Sequence, residues 1–345
     1  MCKPKIFRNN KPFVLESGKV LSAYHLAYHT YGNLNENKDN VIWVFHALTA
    51  DSNVAEWWQG LVGEGCIFNP EKYFIVCVNM PESCYGSISP LDINPDTGTP
   101  YYHDFPMFTT RDMIRSFQPL REYLGIKRIK VGIGGSIGGL QLLEWAIEEP
   151  ELFENIIPIA TGASHSAWGI AFDASQRMCI ELDPTWKNRH SEAGKDGLKI
   201  ARSIALISYR NHTIYTATQE GVTTESNEKP IDEKIYKAET YQRYQGEKLI
   251  KRFNAFSYYL LTKSTDTHDV GRGRGSREKA LAKIQANTLV IGITSDLLFP
   301  LVEQEYLSKH ISGAKFSVID SFYGHDGFLI EIEKITNLLN EFLSD

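Results

Sequence analysis

The sequence predicts an α/β protein: a mostly parallel, doubly wound sheet that carries a helical cap insertion. Three observations predict it. Short apolar runs of the buried-strand type alternate with segments of helical spacing. A glycine-flanked serine sits between one such strand and the helix that follows. The alternation stops near residue 163 and resumes near residue 285. The expected organisation is therefore a core of residues 1–162 and 285–345, with residues 163–284 inserted as a helical lid.

Each element follows from local chemistry. Val20 to Tyr28 is rich in strand formers and closes at Tyr31-Gly32-Asn33. Asn40 to Phe45 and Tyr73 to Val78 are near-continuous apolar runs, as in strands covered on both faces. Trp57 to Gly63 reads as a loop or short turn. Met113, Phe117, Leu120 and Leu124 fall on one helical face, and Gly125 stops that helix. Ile129 to Ile133 is a strand, Leu140 to Ala146 a helix ending near Pro150, and Asn155 to Ala160 the next strand. After the insertion, which ends in the glycine-rich loop 269–276, strands are expected at Thr288 to Ile293 and Lys315 to Ile319. Glu331 to Leu343 closes the chain as an amphipathic helix.

Composition removes several function classes. The 345 residues are 42% hydrophobic and 23% charged, which excludes disorder as a description of the whole. The formal net charge is −6 and no basic stripe appears, so nucleic acid is not an expected partner. The five cysteines, Cys2, Cys66, Cys77, Cys84 and Cys179, form no CxxC pair. A disulfide scaffold is disfavoured and a reducing cytoplasm expected. No apolar run is long enough to span a membrane, and no signal-peptide core follows Met1-Cys2-Lys3. No HExxH or clustered His/Cys set suggests a metal.

The strongest local signal is Gly134-Gly135-Ser136-Ile137-Gly138. It fits G-x-S-x-G in the strand-then-helix context that motif requires. On so sharp a turn the serine oxygen projects above the sheet, and the Ile137 N–H at the helix N-terminus can stabilise an oxyanion. The alternatives, a Walker A or a dinucleotide loop, lack their Gly-Lys-Ser/Thr and G-x-G-x-x-G patterns. A serine hydroxyl needs a base. Asp296 follows the strand ending at Ile293, and His325 lies in Tyr323-Gly324-His325-Asp326-Gly327, giving the order Ser, Asp, His. Asp296 could instead be a turn or cap residue. His46 ends a buried strand in Phe45-His46-Ala47-Leu48-Thr49. It reads as structural, with the Leu48 N–H as the second oxyanion donor.

Several segments, in order and spacing, resemble the homoserine O-acetyltransferase family of α/β-hydrolase-fold acyltransferases. They include Phe45 to Thr49, Trp57 to Gly63, Cys84 to Ser87, Ile93 to Gly98, Asp104 to Pro106 and Thr110 to Met113. The elbow 134–141, Glu144-Trp145-Ala146, Ala201-Arg202, Tyr209, Arg243 to Gly246 and Asp269 to Gly275 complete the set. The resemblance implies ping-pong acyl transfer from acetyl-CoA to the hydroxyl of L-homoserine, a step of methionine biosynthesis. No cofactor is permanently bound; acetyl-CoA, or succinyl-CoA, is a co-substrate. It implies Ser136, Asp296 and His325 as the triad and the backbone N–H groups of Leu48 and Ile137 as oxyanion donors. Arg202 and Tyr209 match residues that hold the acceptor carboxylate, and Asp326 matches the reader of its ammonium group. It also implies a homodimer formed through the cap helices.

The chain departs from the family pattern at Ala50, Glu82-Ser83, Ile88-Ser89 and Ile137. Residues 80–90 are expected beside the substrate tunnel, where an added carboxylate would change which acyl chain fits. Succinyl-CoA as donor and L-serine as acceptor therefore stay open. So does an esterase or thioesterase that uses the same triad with water.

Overall fold

The computed structural model describes residues 3–344; Met1, Cys2 and Asp345, and with them the readings made on the first two residues, lie outside the described residues. The chain begins with β1 (Lys5–Asn9), β2 (Phe13–Val14), β3 (Val20–Leu21) and β4 (Tyr24–Tyr31). The apolar run from Val20 to Tyr28 is thus two strands, not one. Val20 and Leu21 pair with Val14 and Phe13 in a small separate ribbon. The chain then breaks at Ser22-Ala23 before β4 enters the main sheet. Good strand formers stand on both sides of that break, so propensity alone hides it. β1 was not anticipated either. Its mixed Lys-Ile-Phe-Arg-Asn composition is ordered by antiparallel pairing with β4, from Lys5 opposite Tyr28 to Asn9 opposite Tyr24.

Next come β5 (Val41–Phe45), α1 (Val54–Trp57), β6 (Phe74–Val78), α2 (Thr110–Tyr123), β7 (Ile129–Gly135), α3 (Ile137–Glu148) and β8 (Phe153–Ile159). The expected turn at Trp57 to Gly63 is preceded by the single helical turn α1. Between β8 and β9 (Asn287–Ile293) run α4 (Ala167–Leu182), α5 (Lys195–Tyr209), α6 (His212–Gln219), α7 (Lys237–Ile250), α8 (Ala255–Asp266) and α9 (Arg277–Leu281). The chain ends with α10 (Leu301–His310), β10 (Lys315–Ile319), α11 (Gly327–Ile330) and α12 (Ile332–Ser344).

Among the described residues the main sheet has eight strands in the order β1-β4-β6-β5-β7-β8-β9-β10. Only the pairings of β4 with β1 and β6 are antiparallel; the others are parallel. Central β5 shows why these strands read as unbroken apolar runs. Val41, Trp43 and Phe45 join the core under α2 and α3. Ile42 and Val44 join the opposite core with Trp58, Phe328, Ile335 and Leu339. Both faces are covered, so neither set of alternating side chains is polar.

Helix α2 starts on a reciprocal capping box between Thr109 and Asp112. It stops at Gly125, whose φ of 71° suits glycine. The parallel arrangement gathers the C-terminal ends of β5, β7, β9 and β10 at one edge, where the loops after them can meet.

Candidate active site

Ser136 occupies the one-residue bend between β7 and α3. Its φ of 57° and ψ of −130° put a non-glycine residue in strained backbone. The bend is pinned: the Ser136 N–H donates to Ile159 O at 3.0 Å, and Ser136 O accepts from Thr161 Oγ1 at 3.0 Å. The flanking glycines are required by proximity. A Cβ on Gly138 would lie 2.3 Å from Phe45 O, and one on Gly134 would lie 2.7 Å from the Gly138 backbone. So α3 enters against β5, and the serine is held up at the helix N-terminus. The Ile137 side chain is buried in the core, so only its backbone N–H is available here.

Asp296 sits in the turn after β9 and is 5% exposed. Its Oδ1 accepts the N–H groups of Leu298 at 2.8 Å and Phe299 at 2.9 Å. Its Oδ2 lies 2.7 Å from His325 Nδ1. The carboxylate is an acceptor on both oxygens, so Nδ1 carries the proton and Nε2 presents its lone pair. Nε2 is buried and has no hydrogen-bond partner among the described residues. Burial works to lower the His325 pKa. The charge and hydrogen bond of Asp296, with the charge of Asp326, outweigh it and the net shift is upward. The ring packs among Phe299, Phe328 and Tyr209 at centroid distances of 5.5, 5.4 and 5.8 Å.

Ser136 and His325 line one cavity of about 480 Å³, together with Leu48, Tyr85, Arg202, Tyr209, Arg252 and Asp326. Arg202 and Tyr209 are seven residues apart on α5, two turns, and so share a face. The Arg202 guanidinium lies 5.4 Å from the Tyr209 ring centroid, and burial pushes the Tyr209 hydroxyl up to about 12. Asp326 follows the histidine in the 3₁₀ turn Gly324–Asp326. Its Oδ2 lies 2.9 Å from Arg210 Nε. Six of the residues expected from the sequence, Leu48, Ser136, Arg202, Tyr209, His325 and Asp326, thus line one cavity; Asp296 stands behind His325, and Ile137 follows the serine without joining the lining.

His46 is structural, as expected. Its Nδ1 lies 2.8 Å from Ala47 O, and its Nε2 accepts the Met80 N–H at 3.1 Å. With both nitrogens engaged, it braces the loop that carries Leu48. The expectation for Glu82 needs correction. Its side chain does not line the cavity. It is wholly buried, accepting the Phe108 N–H at 2.7 Å and the Ser264 hydroxyl at 2.6 Å. The loop borders the cavity through Tyr85 instead.

Sequence reasoning also missed Arg252, which donates to Thr49 O at 2.5 Å and to the Tyr85 hydroxyl. No motif marks it, because its partners lie 167 and 203 positions away. A separate group of possible metal ligands is His165, Asp173 and Asp266. His165 Nε2 lies 3.2 Å from Asp173, and Asp266 pairs outside the group with Arg177 at 2.5 Å.

Known proteins resemble the chain in both fold and sequence. Residues 40–331 match the family model described as the alpha/beta hydrolase fold. A homoserine O-acetyltransferase of Cyclobacterium marinum is 48% identical over 338 residues, covering 98% of this chain and 94% of its own. The crystal structure of a homoserine O-acetyltransferase from Bacillus anthracis superposes with a TM-score of 0.90 at 27% identity, covering 100% of this chain and 99% of that one. A solved esterase superposes equally well, with a TM-score of 0.90, but at 23% identity over 99% of this chain and 100% of its own it shares the fold alone. The fold and the near full-length identity together establish that the chain belongs to the homoserine O-acetyltransferase family of α/β-hydrolase-fold proteins.

Proposed function

We propose that the protein transfers an acetyl group from acetyl-CoA to the hydroxyl of L-homoserine, through an acetyl ester on Ser136. One observation carries the reading: a strained serine, an Asp296-braced histidine, and a cation, a phenol and a carboxylate suited to an amino acid all line one cavity. In the first half-reaction, Ser136 Oγ attacks the thioester carbonyl and gives its proton to His325 Nε2. The Leu48 and Ile137 N–H groups hold the oxyanion. The coenzyme A thiol leaves with that proton. In the second, the homoserine hydroxyl gives its proton to His325 and attacks the acyl-serine, and Ser136 recovers a proton as the product departs.

Arg202 and Tyr209 would hold the acceptor carboxylate, and Asp326 its ammonium. A plain esterase has no use for these three groups, which favours transfer over hydrolysis. Residues 163–284 would act as a lid over the 1–162 and 285–345 core, keeping water from the ester. Two copies would pair through that lid. Met178 and Leu182 on α4, with Ile200 and Ile207 on α5, leave apolar side chains exposed there. Among the described residues, no helix is long and apolar enough to cross a membrane.

Thiol release tests the reading, with acetyl- or succinyl-CoA as donor and L-homoserine, L-serine or no amino acid as acceptor. Steady release is expected only with acetyl-CoA plus L-homoserine. Ser136→Ala should lower it by on the order of 10⁴-fold or more. Steady release without an amino acid would make the protein a hydrolase. Preference for succinyl-CoA or for L-serine would overturn the donor or the acceptor.

A further inference from the structure

Asp326 is an unusual place to keep a negative charge. Its side chain is 18% exposed on the cavity wall, and the burial of the rest pushes its pKa up. Arg210, then Arg202, then His325 pull it back, while Asp296 adds to the rise. Without those cations a carboxyl there would give up its proton less readily and attract a cation less strongly. Arg210 is the group that approaches it, with Nε 2.9 Å from Asp326 Oδ2. That N–H makes no hydrogen bond among the described residues. The contact is therefore a charge pair without a directed bond, and the carboxylate lone pairs stay open to a second donor.

The backbone tells the same story. Arg210 caps the C-terminal end of α5, its N–H donating to Leu206 O at 3.0 Å. The turn bearing His325 and Asp326 is pressed against this cap. A Cβ on Gly324, where φ is 68°, would lie 2.7 Å from Tyr209 O and 3.0 Å from the Arg210 carbonyl carbon. Arg202 adds a smaller pull in the same direction, with its guanidinium over the Tyr209 ring.

We propose that Arg210 is a positioning residue for the acceptor: it keeps Asp326 charged and aimed into the cavity as the receptor for the acceptor's ammonium group. The inference rests on the reading of Asp326 given above. Arg210 itself touches no reacting atom. Its effect reaches the substrate through the charge and orientation of Asp326, so it belongs to acceptor recognition rather than to acylation of Ser136.

The test compares L-homoserine with 4-hydroxybutanoate, which has the same hydroxyl and carboxylate but no amine. Native protein, Arg210→Met and Arg210→Lys are measured for transfer to each acceptor, and for the thiol burst from acetyl-CoA alone. Arg210→Met should raise the homoserine KM about tenfold or more and shrink the native preference for the amine by a similar factor. The burst should fall far less than transfer does. Arg210→Lys, which keeps a cation, should recover much of the preference. A preference kept intact in Arg210→Met would overturn the role of Arg210 alone, as would a burst and a transfer that fall in step. No preference in the native protein would overturn Asp326 as the ammonium receptor, and this inference with it.

Discussion

Glu82 and Glu16 are both drawn out of water, yet their acidities move in opposite directions. For Glu16 burial acts to raise the pKa. Hydrogen bonds from Arg272 and Thr109 and the charges of Arg111 and Arg272 outweigh it, leaving the group at about 2. Glu82 is wholly buried; burial, with a smaller push from the charge of Asp112, outweighs the bonds from the Ser264 hydroxyl and the Phe108 N–H and takes it up to about 8. Its folded pKa lies above the unfolded value. The native state therefore holds this proton more tightly, and its contribution to stability is complete below about pH 4.5 and lost as pH rises towards 8. An amide can accept from Phe108 and donate to Ser264 without ever ionising. Glu82→Gln should raise stability at pH 8 by roughly 2–4 kcal/mol and change it little at pH 4. Urea midpoints at the two pH values measure this. A lower midpoint at pH 8 would mean that the carboxylate is ionised and held favourably. Because Glu82 lies away from the cavity, the same variant should leave the choice of acyl donor as it is.

The elbow is the element on which the chemistry depends, and it is built from absences of side chain. Holding Ser136 at a φ of 57° costs about 1–3 kcal/mol, which the packing of α3 against β5 must offset. That packing leaves no room at Gly138, since the Phe45 carbonyl belongs to a strand bonded on both sides. Gly138→Ala should lower stability by about 2 kcal/mol or more and cut thiol release more than tenfold. Gly18→Ala is the control. It has a φ of +81° but nothing within 4 Å, so it should cost only the backbone term of about 1 kcal/mol. Equal losses in the two variants, read by thermal melting, would refute the close-approach explanation. This element was legible in the sequence because strand, serine, glycines and helix all lie within one short segment. Asp296 and His325 were legible through their order and strand-end positions. Arg210 and Arg252 were not, because their partners are set by how α5 and α7 lie over the sheet. The division between β3 and β4 escaped for the opposite reason: pairing overrides a propensity that is uniform across the break.

At the scale of the whole molecule, the glycine-rich loop 269–276 acts as a strap rather than a ligand loop. It carries Arg272 and Arg274 back to the core. Arg272 pairs with Glu16 at 2.8 Å. Arg274 pairs with Glu144 at 2.7 Å and Glu148 at 3.5 Å. Arg111 on α2 joins Glu16 at 3.0 Å and Glu144 at 3.3 Å. The loop before α9, the start of α2, the outer half of α3 and the segment after β2 are thereby tied by one network. These are also segments through which the chain resembles its family, so part of that resemblance records structure and not catalysis. Glu144 sits at the centre of the network, with a side chain 0% exposed between two largely buried guanidinium groups. Removing its charge leaves both cations with Glu16 and Glu148 as their remaining carboxylates, and Glu144→Gln should cost about 2 kcal/mol or more. Replacing Arg274 as well should recover part of that loss, because one of the two under-compensated cations goes with it. The double variant Glu144→Gln, Arg274→Met should then be less destabilised than the sum of the singles by about 1 kcal/mol or more. Additive losses in urea would mean that the pair does not couple and that the strap is held by Glu16 and Glu148 alone. The rate of thiol release per folded molecule should stay near that of the native protein throughout, since Glu144 and Arg274 lie outside the cavity lining.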